Sequence, residues 1–149
     1  MQINAPDLTQ RPPRSPRVRL GGYVILPRTL DKGRADIIGK IGEYHYNCPL
    51  DQRVLSFAGI DAGKLREVLA QGKSDAEVLE WIDTNAKNKL TPSEIAAWSE
   101  AQNHGVPMDL ESRKFFNELQ EQAAPHRKDV ATWFDLLDVD DYVTFGGKA

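Results

Sequence analysis

The residues of this chain best suited to chemistry lie in two neighbouring stretches. Arg28, Asp31 and Arg34 step by three through the run from Pro27 to Ala35. On a helix they border an apolar stripe of Leu30, Ile37 and Ile38. An arginine whose stem lies on apolar surface presents a planar fork of donors. That fork grips a carboxylate or phosphate through two charge-assisted hydrogen bonds. Two readings follow. Either Asp31 neutralises the arginines in a structural ion pair, or it holds one and leaves the other for an anionic small molecule. Tyr44, His45, Tyr46 and Cys48 come next, in a glycine-punctuated loop over residues 39–49. Folded back over the helix, that loop brings hydroxyls, an imidazole and a thiol towards the guanidinium groups. Arg28, Asp31, Arg34, Tyr44, His45, Tyr46 and Cys48 are therefore the candidate ligand-binding set.

Other constellations are weaker. His45 and Cys48 have the spacing of half a zinc site, but a structural zinc takes four ligands and Cys48 is the sole cysteine. No metal and no cofactor is expected. Cys48 precedes Pro49-Leu50-Asp51, which opens a helix, and His45 is close by. A nucleophile needs such a base and such a setting, yet one Cys near one His is common, so no catalytic residue is assigned. Gly146-Gly147-Lys148 lacks the rest of a phosphate loop. Asp135, Asp138, Asp140 and Asp141 lack calcium-loop spacing.

The elements that must position these residues are helices. Thr91-Pro92-Ser93-Glu94 offers an N-cap, a proline at the first helical position and a glutamate reaching back. Ser74 with Glu77 is a second capping box, and Asp61 and Asp109 are further caps. Gly59 and Gly72 stand where helix ends require a left-handed residue. Val130, Trp133, Phe134 and Leu137 keep the helical period. Around the candidate site, one helix spans about 20–38 with a kink at Pro27, or it starts near Pro27 with Leu20–Leu26 extended. Tyr142–Phe145 reads as extended. The expectation is an all-α, irregular bundle of six or seven short helices over residues 20–149, preceded by an extended Pro/Arg-rich arm, residues 1–19.

The 149 residues include 40% hydrophobic and 28% charged side chains, which is ordinary for one globular domain and excludes a disordered chain. One cysteine excludes a disulfide-built fold. No apolar run approaches a membrane span, so the expectation is a soluble, cytoplasmic protein without membrane partners. Residues 1–75 carry 12 Lys/Arg against 8 Asp/Glu, and residues 76–149 carry 7 against 14, so a +4 half precedes a −7 half. The acidic balance argues against nucleic acid. It suggests that the arm, with Arg11, Arg14 and Arg17 on one edge of a polyproline helix, docks on the acidic half.

The run from Leu20 to Ala35, Leu-Gly-Gly-Tyr-Val-Ile-Leu-Pro-Arg-Thr-Leu-Asp-Lys-Gly-Arg-Ala, resembles the opening of a bacterial family known as a domain of unknown function. Gly42–Tyr46, Pro49–Asp51, Phe57–Asp61, Glu80–Ile82 and Trp133–Asp138 share the resemblance, which covers most of the chain. It implies no catalytic residues. The leading functional expectation is a small helical binding or interaction module with an unknown protein partner. The alternative is an enzyme or an anion-binding protein using the Arg28/Asp31/Arg34 helix and the Tyr44–Cys48 loop.

Overall fold

The structure, a computed structural model, describes residues 2–149. Seven helices occur among these residues, and no strand. They are α1 (Leu26–Ile37), α2 (Pro49–Ala58), α3 (Ala62–Ala70), α4 (Asp75–Asn85), α5 (Pro92–Asn103), α6 (Leu110–Ala123) and α7 (Trp133–Thr144). The chain is all-helical, as the periodicity predicts.

Local chemistry sets most helix starts. Thr91 Oγ1 accepts the Glu94 amide at 3.2 Å, and Glu94 accepts the Thr91 amide in return. Ser74 and Glu77 make the same box at α4. Asp61 caps α3 and Asp109 caps α6. Thr132 with Asp135 caps α7, a box the sequence reading passed over.

The first helix starts at Leu26, so the reading in which it begins near Pro27 holds, but the residues before it form a tight turn and are not extended. Leu20 and Tyr23 exchange backbone hydrogen bonds across Gly21 and Gly22, both at positive φ, as a tight hairpin turn with a right-handed strand twist requires. Ser99 of α5 pins this turn by accepting the Val24 amide and donating to the Gly22 carbonyl. Ile25 then adopts φ 73°, a costly conformation for a β-branched residue. Its amide donates to the Pro16 carbonyl, and its carbonyl accepts the Thr29 amide. At the other end, Tyr142–Thr144 is helical rather than extended. The strand preference of Tyr and Val is weak, and tertiary contacts to Asp141 hold the last turns of α7.

Helix α1 is the axis of the molecule. Its ten consecutive residues Leu26–Ala35 are all buried, Arg28, Asp31, Lys32 and Arg34 included. Its Leu26 and Leu30 join Val54, Leu55, Leu65, Leu69, Ile82 and Phe134 in the main core. Phe116, Val130, Leu136 and Val139 form a second cluster between α6 and α7. Gly33 sets how closely α1 meets α3. A Cβ there would stand 2.6 Å from Leu69 Cδ1 and 3.0 Å from Tyr46 Cε1. Gly33→Ala therefore combines a helix gain of about 1 kcal/mol with overpacking of about 1–3 kcal/mol. We expect a net loss near 1 kcal/mol, read as a Tm lowered by a few degrees. An unchanged or higher Tm would mean that Leu69 yields freely.

Candidate functional site

The four buried charged residues of α1 do not share one face. A step of three residues falls about 60° short of a full turn. Arg28 and Lys32 thus point to one side of the axis, and Asp31 and Arg34 to another. Each side borders its own cavity. This corrects the expectation of a single Arg28/Asp31/Arg34 site.

On the Asp31/Arg34 side lies an open cleft of about 760 Å³ between α1, the start of α4 and the arm. Asp31 binds neither arginine of its own helix. Arg14 of the arm reaches it instead, through its backbone amide at 2.9 Å and its guanidinium at 2.9–3.2 Å. The same guanidinium meets Asp75 at 2.8 Å. Arg34 donates to Asp75 at 2.7 Å and to the Lys73 carbonyl at 3.1 Å. Burial pushes the Asp75 carboxyl up, but hydrogen bonds from Arg14 and Arg34 outweigh it and leave Asp75 below the usual carboxylate range. Arm and helix thus neutralise each other. Arg17 also binds Asp135 and Asp138 of α7, and Arg19 binds Glu100 of α5, so the arm does lie against acidic groups of the C-terminal half.

On the Arg28/Lys32 side lies a second cavity of about 590 Å³, between α1, α7 and the loop carrying Tyr44–Cys48. Arg28, 3% exposed, makes two hydrogen bonds to Asp141, 6% exposed, at 2.7 and 3.3 Å. Tyr44 donates its hydroxyl to Asp141 at 2.7 Å, and its ring lies 5.5 Å from the Arg28 guanidinium carbon. Burial, with that hydrogen bond to Asp141, pushes the Tyr44 phenol above its ordinary range. Lys32, 3% exposed, places Nζ 3.0 Å from Asp51 and 3.2 Å from Cys48 Sγ. Asp51, fully buried, also accepts the Thr29 hydroxyl at 2.7 Å and the amides of Asn47 and Cys48 at 2.9 and 3.3 Å. This one carboxylate thereby ties α1 to the start of α2. Leu8, Leu50, Leu137 and Phe145 supply apolar wall, and His45 stands at the exposed rim. Glu43 and Asp140 also line the mouth. Burial and the neighbouring Asp141 push Asp140 up, and Arg28 offsets only part of this.

Of the seven expected site residues, Arg28, Tyr44, His45 and Cys48 meet in this cavity. Asp31 and Arg34 line the other. Tyr46 lines neither: its ring packs beside Gly33, and its hydroxyl donates to the Ala62 carbonyl at 2.7 Å. Lys32, Asp51, Asp141 and Asp75 were missed, and Arg14, expected to dock on the C-terminal half, meets Asp31 and Asp75 instead. Lys32, one turn after Arg28, and Asp51, three residues after Cys48 as the capping acid of α2, left local signals. No group of three or more His, Cys, Asp or Glu is arranged to hold a metal ion among the described residues.

An all-helical domain threaded by one buried, fully ion-paired helix, with a polar-floored cavity beside it, is the class that fold and site define. The family model for a domain of unknown function, DUF5069, matches residues 10–143, and the chain belongs to that family. No curated protein matches the chain. No helix among the described residues is long and apolar enough to cross a membrane.

Proposed function

We propose that this protein binds a small molecule in the cavity between α1, α7 and the Tyr44–Cys48 loop. The observation that carries the reading is the cavity itself. Its volume of about 590 Å³ falls within the range of ligand sites, and apolar walls surround a few convergent polar groups. The reading of an interaction module rests on Met108, Leu110 and Phe115, which are 86%, 71% and 55% exposed. Single exposed apolar side chains are ordinary on protein surfaces, so the cavity carries the stronger argument.

The charge balance selects the ligand. Arg28 and Lys32 are already matched by Asp141 and Asp51. Glu43 and Asp140 at the mouth have no ion-pair partner among the described residues. An anionic ligand, expected from the arginines alone, would have to displace a buried carboxylate. A ligand with an apolar body and an amine or other cationic group fits instead. A thermal-shift screen of primary amines against carboxylates and phosphates of similar size tests this. Binding at a hundredfold excess over Kd stabilises by about 2.7 kcal/mol, a shift of several degrees. The amines should stabilise the wild type, and Leu137→Trp, whose larger ring would obstruct part of the cavity, should remove most of the effect. Stabilisation by anions only, or a shift that survives Leu137→Trp, would sink the reading.

A further inference from the structure

Two nucleophilic side chains from different helical segments converge beside the cavity. Lys32 Nζ lies 3.2 Å from Cys48 Sγ. Lys32 is 3% exposed, whereas Cys48 is half-buried and lines the cavity, the route by which a small oxidant would come to the sulfur. Asp51 lies 3.0 Å from the same Nζ, on hand to take its proton. The sulfur has no second thiol to pair with, since Cys48 is the sole cysteine.

We propose that Cys48 and Lys32 form a covalent sulfur–nitrogen cross-link when the protein meets a peroxide. In the first step the Cys48 sulfur attacks one oxygen of the peroxide. The S–O bond forms and the O–O bond breaks. With hydrogen peroxide, the departing hydroxide takes the thiol proton and leaves as water, and the sulfur becomes a sulfenic acid. In the second step the Lys32 ammonium passes a proton to Asp51, and the freed amine attacks the sulfur. The N–S bond forms, the S–O bond breaks, and the hydroxyl leaves with an amine proton as a second water. Sulfur is oxidised by two electrons and the peroxide is reduced by two. Sulfenic acids condense with nitrogen nucleophiles in this way when one is close and no thiol competes.

The cross-link would replace the Lys32 charge with a neutral bond and tie α1 to the residue just before α2. It would thereby lock the loop on one side of the cavity. The inference stands on the Lys32–Cys48–Asp51 geometry and does not depend on what the cavity binds.

Peptide mapping of the folded, full-length protein after brief treatment with hydrogen peroxide tests it. The intact mass should fall by about two units, for the loss of two hydrogens. Trypsin should no longer cut after Lys32, and a joined peptide should contain Lys32 and Cys48. A thiol reductant should restore both. The same treatment in denaturant should give no such peptide, because the contact is tertiary. Cys48→Ser should give none, and Lys32→Arg should run on to the irreversible sulfinic acid. Sulfinic acid, or a disulfide between two chains, as the product of the folded wild type with Lys32 still cleavable would overturn the proposal. The wild-type map alone decides if Lys32→Arg fails to fold.

Discussion

Arg28→Ala is expected to cost about 3–5 kcal/mol, measured as the drop in unfolding free energy by urea denaturation. Arg28 and Asp141 are both almost inaccessible and share two hydrogen bonds. Taking two charges out of water is costly, and only their mutual attraction offsets that cost. Truncation leaves the Asp141 carboxylate with the Tyr44 hydroxyl as its remaining side-chain donor. A typical domain is stable by only 5–15 kcal/mol, so the loss is a large share of the whole. Removing both charges is a different case, because no buried charge is stranded. Arg28→Met with Asp141→Leu should therefore recover much of the loss, and the coupling should exceed about 1 kcal/mol. If Arg28→Ala loses under 1 kcal/mol, water already solvates Asp141 from the cavity and the pair is not structural.

Asp51→Ala should be comparably damaging, again by about 3–5 kcal/mol. It removes the acceptor for the Lys32 ammonium, the Thr29 hydroxyl and two backbone amides at the start of α2. The stranded ammonium dominates, because an unpaired buried charge costs more than an unpaired neutral donor. Lys32→Met in the Asp51→Ala background should recover part of the stability. Amide exchange adds a local readout, since Asn47 and Cys48 should lose protection more than the amides of α5. Equal loss everywhere, with no recovery on adding Lys32→Met, would mean that Asp51 acts through packing and not through charge.

These two pairs mark the boundary between what was legible in the sequence and what was not. Helix type and most starting points were legible because their causes are local. Thr91 with Glu94, and Ser74 with Glu77, bond across three residues, so the pattern and its physical cause occupy the same few positions. The central importance of the Pro27–Ala35 run was also legible, because charges interleaved with apolar residues imply buried stems and paired heads. Grouping Arg28, Asp31 and Arg34 on one face failed because steps of three drift around a helix. The partners were not legible at all. Arg28 meets Asp141 across 113 residues, and Arg34 meets Asp75 across 41. Nothing in the spacing of a chain says which of 22 acidic residues will face a given arginine. The strand-like reading of Tyr142–Phe145 failed for the same reason, since Asp141 beside it is held by groups from α1 and the Tyr44 loop. The sequence by itself thus determined the helices, their caps and the need for buried ion pairs, which arise within a few residues. The tertiary structure alone decided which charges pair, on which side of α1 a cavity remains, and that Lys32 meets Cys48, because those outcomes depend on how the helices pack.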